Sequence, residues 1–156
     1  MCPITTEGIK RAIPEVPEEV ARTMLIFHAV SRKMLLQRLA GRSLGHLPNC
    51  HVLARAYARI MPNLEVRDGR VVICNSRGLM PGQHSWLRFL RHPMFGVDVA
   101  PCGAVPFMTF PNLIYFDQYA PFHEYDLSLN DNERSASSID AIVAEIEPLY
   151  REIVQS

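Results

Sequence analysis

The stretch HSWLRFLRHPMFGVDVA, residues 84–100, leaves little choice of backbone conformation beyond a two-faced β-hairpin. Apolar residues alternate with others on both sides of a turn-forming Arg91-His92-Pro93 centre, and a period of two marks a strand with one buried face. Opposed residues of an antiparallel pair keep a constant sum of positions. Setting His84 opposite Asp98 places Trp86 opposite Gly96 and Arg88 opposite Met94, and leaves Phe89 to Pro93 as a five-residue loop, a length that hairpins use. His84, Trp86 and Asp98 then share one face, and Ser85, Leu87, Phe95, Val97 and Val99 share the other, apolar one. A slip of one residue carries Asp98 to the apolar side. The register therefore predicts His84 and Asp98 as cross-strand neighbours with Cβ atoms about 4.5–5.5 Å apart.

Helical patterns flank this hairpin. Residues 1–16, punctuated by Pro3 and Pro14, read as irregular. Pro17-Glu18-Glu19 is a helix start, with acids at the positive end of the dipole, and the helix is expected to run to about residue 40 with Gly41 as its stop. Val20, Met24, Phe27, Met34, Leu35 and Leu39 form its apolar face, among which His28 reads as a hydrogen-bonded core or boundary histidine. Asn49, a strong N-cap residue, opens a second helix that Pro62 closes, with Leu53, Ala56, Tyr57 and Ile60 on one stripe. In NLEVRDGRVVIC, Asp68-Gly69 between β-prone runs predicts a two-residue hairpin turn, and NSRGLMPGQ predicts a loop. A short strand is expected around Leu113 to Phe116, and a last helix over about 137–154 that Pro148 should kink or divide. Helices, an antiparallel meander and a closing helix make an α+β domain, expected to span residues 1–156 as one unit.

Charge and cysteine usage narrow the function classes. Sixteen basic residues balance sixteen acidic ones, so no overall field draws the chain to nucleic acid or to an anionic membrane. The balance is uneven along the chain: residues 10–59 hold nine basic and three acidic side chains, and residues 124–152 eight acidic and two basic ones. These segments are expected to meet or dilute each other on the folded surface. Cys2, Cys50, Cys74 and Cys102 show no C-x-x-C and no short Cys/His spacing, which speaks against a structural zinc site and a disulfide scaffold. No cofactor is implied. The start of the chain lacks the apolar core of a signal peptide, and the run from Met24 to Val30 is too short to span a bilayer. A reducing, cytoplasmic setting is the expectation, with export by a signal-less route left open.

Cys50 follows the Asn49 cap and so falls in the first turn of its helix, where the dipole and unpaired N–H groups favour a thiolate and can stabilise an oxyanion. An acid bonded to one nitrogen of His84 would fix its tautomer and leave the other as a base. His51 is set aside as that base, because adjacent helical residues project in different directions. Cys102 is a rival nucleophile without a helix start behind it, and Cys74 reads as core. His92 reads as a solvated loop residue and His123 as part of a water-facing acidic loop.

A cysteine opening a helix, then H-x-W on a strand, then an aspartate on the next strand resembles the transglutaminase-like branch of the papain-like cysteine enzymes. The matching residues are Cys50 in NCHVLARAYA, His84 and Trp86 in HSWL, and Asp98 in VDVAP, and they cover roughly residues 45–103. The chain departs from the family in carrying His51 where several branches have an aromatic residue, and in lacking an obvious upstream glutamine for an oxyanion hole; His46, Asn49 and Gln83 are polar candidates for that role. The resemblance implies a papain-like core over about residues 45–120, its helices packed on a small antiparallel sheet. It implies acyl transfer through a Cys50 thioester, with His84 as general acid and base, Asp98 orienting it, and Trp86 lining the acyl pocket. The substrate would be a peptide, a protein or a small amide or ester. Two other readings stand beside it: a non-catalytic binding or accessory protein of the same fold, and a small-ligand or metal binder using Cys50, His51 and His84.

Overall fold

The computed structural model describes residues 5–41, 49–75, 78–98, 112–115 and 129–156. Its helices are α1 (Thr6–Ala12), α2 (Glu18–Ala40), α3 (Cys50–Ile60) and α4 (Leu129–Gln155), and its strands are β1 (Leu64–Asn75), β2 (Gly78–Phe89), β3 (Phe95–Asp98) and β4 (Asn112–Tyr115). The strands form one antiparallel sheet in the order β1-β2-β3-β4, so the class is α+β. His46, Val99, Cys102 and His123 lie outside the described residues, as do the side chains of Leu39, Cys74 and Gln83.

Helix α3 occupies the centre. It packs on α4 on one side and on β1 and β2 on the other. Val52, Leu53, Ala56 and Tyr57 are buried along it, as the apolar stripe requires. Phe27 of α2 meets the Tyr57 ring edge-on with centroids 4.5 Å apart, and the Tyr57 hydroxyl finds Ser31 at 3.3 Å. Burial pushes the Tyr57 phenol well above its ordinary value, so it stays neutral. From the sheet, Leu64, Leu87, Phe89, Phe95 and Val97 enter the same core, and Ile139, Ile142, Ile146 and Leu149 close it from α4.

The boundaries of α2 and α3 follow their caps closely, whereas three other segments depart from expectation. Residues 6–12 are helical, not irregular, because the Thr5 hydroxyl accepts from Gly8 N–H at 3.0 Å and caps a short turn. Helix α4 starts about two turns early, at Leu129. Residues 130–135 read NDNERS, wholly polar, so that part of the helix carries no apolar period to read. It also continues through Pro148, undivided, with the proline itself exposed.

The largest correction concerns the first hairpin. Asp68-Gly69 makes no turn: β1 runs unbroken through it, with Asp68 opposite Ser85 and Gly69 opposite His84. The ladder closes at Asn75 opposite Gly78, so much of the expected loop NSRGLMPGQ is strand. Asp68 is held in the strand by Arg55 of α3, Nη2 to Oδ2 at 2.7 Å, and by the Ser85 hydroxyl. These long-range bonds outweigh the local turn preference. Pro81 is tolerated in β2 because, among the described residues, that part of the strand pairs on one side only.

Candidate active site

Asn49 caps α3 as its residue type predicts. Its side-chain oxygen accepts from Val52 N–H at 2.9 Å, and its backbone carbonyl takes the first helical bond from Leu53. The N–H groups of Cys50 and His51 precede that first bond, so the helix ladder does not consume them. The Asn49 carbonyl oxygen is therefore committed to ordering the turn that presents Cys50.

The second hairpin has the expected parity but a register shifted by two. Leu87 opposes Val97 and Arg88 opposes Gly96, which continues to Trp86 opposite Asp98. The loop is still five residues long, Leu90 to Met94, one residue later at each end than expected. Phe89 and Phe95, one step beyond the Arg88–Gly96 pair, are both buried in the core, and Leu90 N–H bonds the Asn63 carbonyl at 3.0 Å. A shift of two leaves every side chain on its face. His84 and Asp98 become diagonal neighbours instead of opposed ones, and Nε2 of His84 still lies 3.1 Å from Oδ1 of Asp98. Both side chains are essentially inaccessible to solvent, at 2% and 0% exposure. Trp86 is buried on the same face, its ring centroid 6.3 Å from that of His84 with planes 23° apart. The residue paired with His84 across the ladder is Gly69.

Cys50 meets this pair from the helix side. Burial of the half-buried thiol pushes its pKa up, but hydrogen bonds from His51 and His84, the charge of His84 and the backbone N–H of Ser85 together outweigh burial and lower it to about 6. With Nε2 of His84 donating to the Asp98 carboxylate, Nδ1 is the nitrogen that takes up a proton. The structure thus brings Cys50, His84 and Asp98 together, as the sequence predicts.

His51, set aside on helical geometry, is part of the same constellation. Its Nδ1 lies 2.6 Å from the Ser85 hydroxyl, which itself bonds Asp68. Arg55, one turn along α3, donates to the His51 carbonyl at 3.2 Å and pairs with Asp68. The rule that neighbours on a helix diverge fails here because His51 sits in the first turn and β2 draws its ring toward the sulfur. Ser85, Asp68 and Arg55 were not legible as site residues. The i, i+4 spacing of His51 and Arg55 is visible in the sequence, but the place of Asp68 depends on a continuous β1. His92 is partly exposed and lies 3.5 Å from Glu19, and His28 is half-buried.

Among the described residues, no group of three or more His, Cys, Asp or Glu side chains is arranged to hold a metal ion, and no helix is long and apolar enough to cross a membrane. No family model, no curated protein and no solved structure matches this chain.

Proposed function

We propose that this chain is a cysteine-dependent acyl-transfer enzyme with a papain-like, transglutaminase-like core. One observation carries the reading: a thiol at a capped helix N-terminus, with its pKa lowered, hydrogen-bonds an imidazole whose other nitrogen is held by a buried carboxylate. The Cys50 thiolate attacks the carbonyl carbon of an amide, ester or thioester in a peptide, a protein or a small molecule. The carbonyl electron pair moves to oxygen, where the N–H groups at the start of α3 stabilise it. Collapse of this intermediate breaks the bond to the leaving group, which takes a proton from the His84 imidazolium. Neutral His84 then removes a proton from water or an amine attacking the thioester, and sulfur departs as thiolate. Asp98 keeps the ring in the required tautomer, and buried Trp86 shields the His84–Asp98 pair from water. A reactive thiolate suits a reducing compartment, which favours the cytoplasm.

The test uses p-nitrophenyl acetate as an activated ester. The expected result is a burst of p-nitrophenolate of about one per chain and an acetyl group on the Cys50 peptide by mass spectrometry. Cys50→Ala abolishes the burst, and His84→Ala slows it about 100-fold or more. A burst that survives Cys50→Ala overturns the reading.

A further inference from the structure

We propose that Arg55, Asp68 and Ser85 are positioning residues for the reaction, a polar clamp that fixes the first turn of α3, with Cys50, against the stretch of β2 that carries His84. The proposal rests on the reading of Cys50 as nucleophile and adds to it what sets the place of that nucleophile relative to the base. The clamp is continuous from helix to strand. Arg55 Nη1 donates to the His51 carbonyl at 3.2 Å, one residue from Cys50, and to Asp68 Oδ1 at 3.2 Å. Nη2 donates to Asp68 Oδ2 at 2.7 Å, which completes a two-pronged pair with the carboxylate. Asp68 also accepts from the Ser85 hydroxyl, whose oxygen accepts from Arg55 Nη1 at 3.3 Å. Asp68 and Ser85 are opposed across the β1–β2 ladder, so their side chains stand on one face of the sheet. His84 precedes Ser85, and its side chain leaves the other face. The clamp therefore grips the backbone that bears the base from the far side of the strand.

Stability alone does not call for charge at this place. Ser85 is fully buried, and the Arg55 and Asp68 side chains are only 22% and 20% exposed. Apolar side chains of similar volume hold a helix on a sheet about as well as an ion pair shielded from water. Apolar contact is non-directional, however, and leaves α3 free to settle at more than one position along β2. A guanidinium fork, a carboxylate and a single hydroxyl proton each have fixed directions, so all of them are satisfied together at one position. That position decides the distance from nucleophile to base. A displacement of about 1 Å can cost about 100-fold in rate, however stable the fold.

The experiment compares the full chain with the double variant Arg55→Met/Asp68→Leu, which removes the ion pair and leaves neither charge unpaired. It reads the urea midpoint, the rate of Cys50 acetylation by p-nitrophenyl acetate per folded chain, and the pH midpoint of Cys50 alkylation by iodoacetamide. In the unsubstituted chain the alkylation rate should rise through about pH 6 and then level. The double variant should keep its urea midpoint and yet acetylate about tenfold slower or more. Its alkylation midpoint should rise by about half a unit or more, and since net charge near the thiol is unchanged, that rise reports lost alignment. Asp68→Asn gives the sign: loss of a negative charge by itself favours the thiolate and lowers the midpoint, whereas loss of alignment raises it. Where the double variant loses stability, Ser85→Ala deletes one oxygen of the clamp and should acetylate about threefold slower or more per folded chain. A lowered midpoint in Asp68→Asn, or an unchanged rate per folded chain in the double variant or in Ser85→Ala, overturns the positioning role and leaves the nucleophile reading intact. Absence of Cys50 acetylation in the unsubstituted chain overturns both.

Discussion

The contact between His84 and Asp98 is where single residues matter most, because neither group has water to fall back on. Removing the carboxylate leaves a buried ring N–H without its acceptor, at a cost of about 1–3 kcal/mol. Asp98→Ala should therefore lower the urea midpoint as well as the rate of p-nitrophenyl acetate acylation. Asp98→Asn can still present an oxygen to Nε2, so its stability should change by less than that of the alanine variant. Its acylation rate should nonetheless fall about tenfold or more, because a neutral amide stabilises the imidazolium less than a carboxylate does. Equal stability loss in both variants would mean that the hydrogen bond contributes little. That Cys50, His84 and Asp98 come together was legible from cap chemistry and strand parity. His51 was not: helical projection gives the direction of a side chain from its own helix, and here a serine on a neighbouring strand decides where the ring points.

Among elements, α3 and the β2–β3 hairpin divide the work of building the site. The Asn49 cap fixes the first turn, in which Cys50 and His51 both lie. Asn49→Ala is expected to cost about 1 kcal/mol in urea denaturation, within a range of about 0.5–2. It should also raise the pH midpoint of Cys50 alkylation, since a frayed first turn loses its alignment with Ser85 and His84. A stability loss without any change in that midpoint would separate the cap from the chemistry. The hairpin shows which part of a register the sequence controls. Alternation dictates which residues share a face, and that held. Where along the strand the ladder closes was decided by Phe89 and Phe95 packing into a core built by distant helices, and this moved the register by two. The Asp68-Gly69 signal failed for a related reason, because a dipeptide's turn preference is small beside a salt bridge and a hydroxyl bond from two other elements.

For the molecule as a whole, the uneven charge of the chain becomes a seam. The basic early segment meets the acidic late one through Lys33–Glu152 at 2.6 Å, Arg59–Asp140, and the Arg38–Glu145 pair, in which Nε reaches Oε1 at 2.7 Å. Bonding and charge from Glu145 raise the Arg38 guanidinium above its ordinary value despite its partial burial. The pairs are not equivalent, because Arg38 and Glu145 are the least exposed of them. Glu145→Ala should cost about 1.5–3 kcal/mol, as expected for a bond between charged groups shielded from solvent. Glu152→Ala should cost less than about 1 kcal/mol and should lose that effect in high salt. Similar losses in urea denaturation for the two variants would contradict this ranking. By itself, the sequence determined the class of the fold, the starts of α2 and α3, the face on which each hairpin residue lies and the three residues that converge. All of these follow from short-range preferences and periodicities that neighbouring residues carry. Only the tertiary structure decided the continuity of β1, the register of the second hairpin and the second imidazole at Cys50. Each of these depends on free energy exchanged between residues far apart in sequence, and no local pattern records it.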